Sequence, residues 1–304
     1  MSLRGTVRRK VKDKLVGGEI RYDALRAASG SIEARLVRGA SIDRLADAEF
    51  RVFSQWGHDG IIQYLLAHVA IDDDTFVEFG VEDYRESNTR FLLVHDNWKG
   101  LILDAGRDHL DFIETSGLRW RHSIDAVSAF VTRDNINALL ADARVTGDIG
   151  LLSIDLDGND YWVFEAIDVI SPRIVVIEYN GIFGTDRPVS IPYQADFDMM
   201  RAHHSGLYFG ASLPAMISLA ERKGYDFVGT TSAGADAFFV RRDVAVDLPP
   251  LQTPALTEPR FRRARDEHGN LTYLAGLAAQ RAQLRGLAVV DVVTGETLDA
   301  ASLT

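Results

Sequence analysis

Asp155, Asp157 and Asp160 fall within six residues of one another in LLSIDLDGNDYW, residues 151–162. Three carboxylates this close repel one another unless a cation or protons neutralise them. An EF-hand calcium loop is excluded: its sixth position needs Gly and here is Asp160, and its twelfth needs Glu and here is Ala166. A cation site at a strand end fits the spacing better. Asp155 and Asp157 are two apart, so in an extended strand they point the same way, and Asp160 follows in the turn. Glu178 and Asn180, in VIEYN (176–180), end another apolar run and share a face by the same logic. All five offer the hard oxygen atoms that Mg²⁺, Mn²⁺ or Ca²⁺ takes. A divalent ion there would orient a weakly nucleophilic hydroxyl and lower its pKa. Asp160 or His204 is then the candidate base. Without a metal, Asp157 or Asp160 serves, its pKa raised by like-charge neighbours. His203 and His204 lie in an irregular stretch, where such a pair is more often solvated or structural.

A regular alternation of elements must position these groups. Helices are predicted over 53–69, 87–96, 108–117, 134–143, 161–168 and 212–225. Strands are predicted over 75–80, 100–105, within 122–131, and over 150–157 and 173–180. Two more, 226–231 and 236–243, are joined by the short turn SAGA and must therefore be antiparallel. Strand–helix alternation predicts an α/β domain with a parallel sheet and helices on both faces. The whole is a Rossmann-like, seven-stranded, mostly parallel sheet closed by an antiparallel C-terminal hairpin. That is the layout of the class I S-adenosylmethionine-dependent methyltransferase fold. Residues 1–50 read as a polar helical extension broken at Gly17, Gly18 and Gly30, and 51–245 as the α/β domain. Residues 181–211 are an irregular insert whose Tyr193 and Tyr208 suit either stacking on a sugar or core packing. Residues 246–304 form a C-terminal extension with a proline cluster (Pro249, Pro250, Pro254, Pro259), a polar helix near 271–285 and a hairpin-like tail.

Ligands of open α/β sheets bind outside the carboxyl ends of the strands. Those ends read Glu78-Phe-Gly80, Asp104-Ala105, Asp125-Ala126, Asp155-Leu-Asp157 and Glu178-Tyr-Asn180. Helix capping explains one or two such acids and not a whole row. A dinucleotide needs G-x-G-x-x-G, whereas the first loop, Gly80 to Ser87, has one Gly and several acids that would repel a pyrophosphate. S-adenosylmethionine has no phosphate and carries a sulfonium and an amino group, which suit an acidic loop. Asp104 stands where a carboxylate accepts hydrogen bonds from ribose hydroxyls.

FSQWGHDG (53–60), FVEFG (76–80), SNT (87–89), WKGLILD (98–104), SIDLDGNDY (153–161), VIEYN (176–180) and YFGASL (208–213) together resemble the FkbM-like methyltransferases, over about residues 50–243. The resemblance implies O-methylation of a sugar in a bacterial glycan or glycosylated metabolite, with S-adenosylmethionine as cofactor. It implies that Glu78, Gly80, Asn88 and Asp104 contact the cofactor and that Gln55 and Asp59 close over its methionine end. The sequence departs from the family pattern at His58, where an acid is expected. Two other readings stay open: a silent binding module on the same fold, and an NAD-dependent oxidoreductase, which the missing glycines count against.

The composition frames these expectations. Lys+Arg minus Asp+Glu is 33 − 44 = −11, which disfavours general nucleic-acid binding. With no cysteine there is no disulfide, thiolate zinc site, iron–sulfur cluster or thiol nucleophile, as a cytoplasmic protein would have it. No apolar run is long enough to span a membrane. The basic residues between Arg4 and Lys14 read as a solvated terminus or an arm for an anionic membrane surface. The sequence leaves the oligomeric state open, a homodimer included.

Overall fold

The computed structural model describes residues 3–245, 248–249, 251 and 258–303, with side chains from residue 21 onward. The basic side chains between Arg4 and Lys14, and Pro250 and Pro254 of the proline cluster, lie outside that description.

Alternation of apolar side chains builds the main sheet. Its strands are β1 (Thr75–Phe79), β2 (Lys99–Asp104), β3 (Ile124–Ser128), β4 (Gly147–Ile154), β5 (Ile170–Glu178), β7 (Tyr225–Thr230) and β8 (Asp236–Arg241), with the short β6 (Val189–Ser190) outside it. The seven strands run in the order β3-β2-β1-β4-β5-β8-β7. All are parallel except β8, which is antiparallel to both β5 and β7. On one face Val77, Leu101, Leu103, Leu152, Val175 and Phe239 meet α5 (Ile136–Asp142), α6 (Asp160–Ala166) and α8 (Leu213–Arg222). On the other, Phe76, Ile102, Leu151, Ile174, Val176 and Phe238 meet α2 (His58–Leu66), α3 (Asp108–Ser116) and α4 (Leu118–Arg121). The period of two along each strand sends successive residues to opposite faces, so both faces are covered and the strands read as continuous apolar runs.

Several expected boundaries move. The helix predicted over 53–69 begins only at His58, and residues 50–57 form a loop. The stretch 87–96 is mainly one π-helical turn, Leu92–Asp96. The N-terminal α1 runs unbroken from Leu3 to Arg38 through all the glycines expected to interrupt it. At Gly30 packing is the reason: a Cβ would meet Val52 Cγ2 at 2.3 Å and Phe91 Cε2 at 2.9 Å. The helix therefore lies close on the domain, with Ala34 and Val37 buried beneath it.

The C-terminal residues join the insert. Beyond α7 (Met199–Ala202), α9 (Leu277–Ala282) leads to the hairpin β9 (Ala288–Asp291) and β10 (Thr297–Asp299). β9 pairs antiparallel with β6, making a second sheet of order β10-β9-β6. Leu284, Val289 and Leu303 share an apolar cluster with Phe183, Ile191 and Phe209 of the insert. Among the described residues, no helix is long and apolar enough to cross a membrane.

Candidate active site

A cavity of about 350 Å³ opens at the carboxyl ends of β1, β2 and β4, within the size range of small-molecule sites. Seven carboxylates line it: Glu78, Glu82, Asp83, Glu86, Asp104, Asp155 and Asp157. No Lys or Arg does. Gln55, Gly80, Asn88 and Ala105 also line it, as do Asn159 and Phe197.

Close approach of two strand ends shapes the floor. Gly80 has φ +71°, and a Cβ there would lie 1.6 Å from the Asp155 carbonyl oxygen. Only Gly meets both conditions. The loop that follows is held by Asp104. Its Oδ2 accepts the Val81 and Glu82 N–H groups at 2.9 Å each, and its Oδ1 accepts Gly106 N–H at 2.7 Å. A carboxylate has about four acceptor sites, so Asp104 keeps one for a ligand hydroxyl. Glu78 gathers the next loop. It accepts from Ser87 Oγ at 2.6 Å, Thr89 Oγ1 at 2.5 Å and Asn88 N–H at 2.8 Å. Burial pushes its pKa up, against the pull of these bonds. Asn88 in turn donates to Ser153 Oγ at 3.1 Å.

Beside the cavity, oxygens of Asp155, Asp157 and Glu178 lie within 4.8 Å of one another. Strand β4 ends at Ile154, so Asp155 and Asp157 do not share a strand face as expected. A positive φ of 51° at Asp157 turns the chain so that both still reach the cluster. Burial raises the pKa of Asp155 well above the usual carboxylate range, and the charges of Asp157, Asp236 and Asp160 add to the effect. Glu178 is raised likewise, by burial first and then by the charge of Asp155. Its Oε2 is buried without a hydrogen-bond partner among the described residues.

Arg263, from the C-terminal extension, caps this trio. Its Nη1 is 3.4 Å from Asp157 Oδ1 and its Nη2 is 3.3 Å from Glu178 Oε1. The guanidinium also sits over the rings of Phe209 and Phe261, at 4.7 and 4.4 Å. The sequence offered one signal for it, the run RFRRAR (260–265) in an otherwise acidic chain. Behind the trio, buried His58 brings Nε2 to 2.9 Å from Asp236 Oδ2. Burial alone would lower the imidazole pKa, and the carboxylates of Asp236, Asp59 and Glu78 together more than offset that. Asp236 pairs in register with Glu178, so His58 balances acid on the same strand ends.

Other expected site residues are engaged elsewhere. Asp160 is fully buried, and its oxygens accept Leu156 N–H at 2.8 Å and Gly158 N–H at 3.0 Å. It holds the 155–160 turn and is neither a trio member nor placed as a base; burial lifts its pKa to about 7. Asn180 spends its Oδ1 on Ile182 N–H and its Nδ2 on the Leu207 and Phe209 carbonyls, so its side chain ties β5 to the insert. Asp59 is buried away from the cavity and accepts three backbone N–H groups of Val52, Phe53 and Ser54; it fixes the loop that carries Gln55. Asp125 and Ala126 sit mid-strand, because β3 extends to Ser128. Asp125 is exposed beside Arg119, and Ala129, Phe130 and Val131 take the predicted place at the cavity. His204 does not line the cavity and packs against His203. Tyr208 is buried, with its hydroxyl on the Ala288 carbonyl, so it serves the core and not an acceptor.

No family model and no curated protein matches this chain. Similar solved structures include an S-adenosylmethionine-dependent methyltransferase from Clostridium acetobutylicum ATCC 824, at 8% identity over 56% of this chain and 85% of that one, TM-score 0.35. The N-terminal domain of EvdMO1 with SAH and D-fucose is 10% identical over 55% of this chain and 75% of that one, TM-score 0.35. The small RNA methyltransferase HEN1 is 14% identical over 70% of this chain and 28% of that one, TM-score 0.39. At TM-scores this low the assignment stands on the strand order itself. A sheet ordered β3-β2-β1-β4-β5-β8-β7 with only β8 reversed is the class I methyltransferase fold.

Proposed function

We propose that this chain is an S-adenosylmethionine-dependent O-methyltransferase that acts on a sugar hydroxyl of a glycan or glycosylated metabolite. The observation that carries this reading is the charge of the cavity: seven carboxylates and, among the described residues, no basic side chain, at the strand ends of a class I sheet. Such a field repels the pyrophosphate of a dinucleotide and attracts a sulfonium and an amino group. The resemblance to FkbM-like methyltransferases supports the sugar acceptor, and a cytoplasmic setting follows from where this cofactor is found.

S-adenosylmethionine, when bound, supplies an electrophilic methyl group on a positively charged sulfur. The chain's own residues do the rest. Asp104 offers its spare acceptor site to ribose, and Gly80 leaves the floor open where a Cβ would strike Asp155. Without a bound cation, Asp157, with 62% of its side chain exposed beside the cavity, takes the proton of the acceptor hydroxyl. The oxygen bonds to the methyl carbon as the sulfur–carbon bond breaks, so positioning is the main demand. The residues fit a divalent ion: Asp155, Asp157 and Glu178 would hold it, and it would supply Lewis-acid activation of the hydroxyls.

The test is to incubate the protein with S-adenosylmethionine and a panel of mono- and oligosaccharides carrying adjacent free hydroxyls. S-adenosylhomocysteine release together with a sugar methyl ether is expected. Turnover seen only with amines or carbon acids would contradict the O-methyl assignment.

A further inference from the structure

Arg263 sets one positive charge against three carboxylates. Its two contacts, at 3.3 and 3.4 Å, are longer than the roughly 2.7–2.9 Å of a well-formed guanidinium–carboxylate pair. Glu178, only 6% exposed, also keeps Oε2 buried without a donor among the described residues. A desolvated anionic oxygen without a partner is unfavourable, and the guanidinium as placed does not relieve it. Hard carboxylate oxygens grouped within 4.8 Å suit a small divalent cation, which approaches each to about 2.0–2.6 Å.

We propose that Asp155, Asp157 and Glu178 form a divalent-cation site for which Arg263 is the resident counter-ion, and that a cation binds by displacing the Arg263 guanidinium. A cation seated among these oxygens would face at close range the guanidinium that contacts two of the same carboxylates, so the two charges compete for the site. The backbone need not move. The strap is pinned on both sides of Arg263, by Arg260 N–H on the Ala233 carbonyl at 2.9 Å and Arg265 N–H on the Ser205 carbonyl at 3.1 Å. Arg263 is 21% exposed, so its long side chain has a route to solvent. Phe209 and Phe261 stack with the guanidinium as placed, so leaving the trio also gives up cation–π contact. The cation's catalytic role rests on the methyltransferase reading, but its binding does not.

The experiment titrates Mn²⁺ into the full chain without cofactor and follows free Mn²⁺ by electron paramagnetic resonance. The wild type, Arg263→Met, Arg263→Gln and Asp157→Asn are compared after each is shown folded by circular dichroism. Removing the competing charge should tighten Mn²⁺ binding about tenfold in both Arg263 variants, midway between an exposed and a buried ion pair. Asp157→Asn should abolish the site. Unchanged or weaker Mn²⁺ binding in a folded Arg263 variant overturns the proposal, as does Asp157→Asn binding like wild type. S-adenosylhomocysteine is titrated separately: its failure to bind with the Mn²⁺ pattern intact removes the methyltransferase reading alone.

Discussion

Asp104 joins two tasks in one side chain. It fixes the loop after β1 through three backbone N–H groups and faces the cavity with its remaining acceptor site. A bond to a charged acceptor contributes about 1.5–3 kcal/mol, so Asp104→Ala should weaken S-adenosylhomocysteine binding by at least ~10-fold in a calorimetric titration. Wild-type affinity in that variant would remove Asp104 from the site. Asp157→Asn should behave differently: cofactor affinity holds, while turnover falls about 10²–10⁴-fold, the usual contribution of a general base. Steady-state rates measured beside binding separate the two effects. Glu78, Gly80 and Asp104 lie at the cavity as expected because each stands at a strand end or opens the loop after it. Asp125 misled because β3 runs to Ser128, and nothing in HSIDAVSAFV marks which residue ends pairing. Asp160 misled because a carboxylate that caps a turn and one that binds a ligand look alike in sequence. Arg263 was hidden because its partners lie about a hundred residues away.

At the scale of elements, the sheet was readable because burial on both faces leaves unbroken apolar strands between polar helices. The helical character of α1 was readable too but its continuity was not, since glycine lowers helix propensity whatever the tertiary packing at Gly30 later demands. The far end of the sheet carries its own clamp. Asp148 on β4 accepts from Arg173 on β5 and Arg241 on β8, and the Arg173 guanidinium bonds hold its pKa down to about 2. A pKa depressed on folding means the unfolded chain binds more protons between about pH 2 and 4. The clamp therefore stabilises the fold above that window and is lost as pH falls through it. Asp148 is partly exposed, so solvent screening keeps the effect modest. Thermal unfolding followed from pH 5 to pH 2 should show a shallower decline for Asp148→Asn than for the wild type. Parallel curves would mean the clamp does not couple to folding.

Across the whole molecule, the C-terminal residues complete the structure around the site. They add β9 and β10 beside β6, close an apolar cluster over the insert, and deliver Arg263 to the acidic trio. Leu284 is fully buried in that cluster. Leu284→Ala should cost about 2–5 kcal/mol, seen as a lower melting temperature by calorimetry. An unchanged melting temperature would show that this lobe contributes little to the stability of the fold. Isothermal titration calorimetry with S-adenosylhomocysteine, in Mg²⁺ and again in EDTA, identifies the ligand of the seven-carboxylate cavity. Saturable one-site binding in both conditions, weakened by Asp104→Ala, is the predicted result. No heat of binding from the folded wild type in either condition would contradict it.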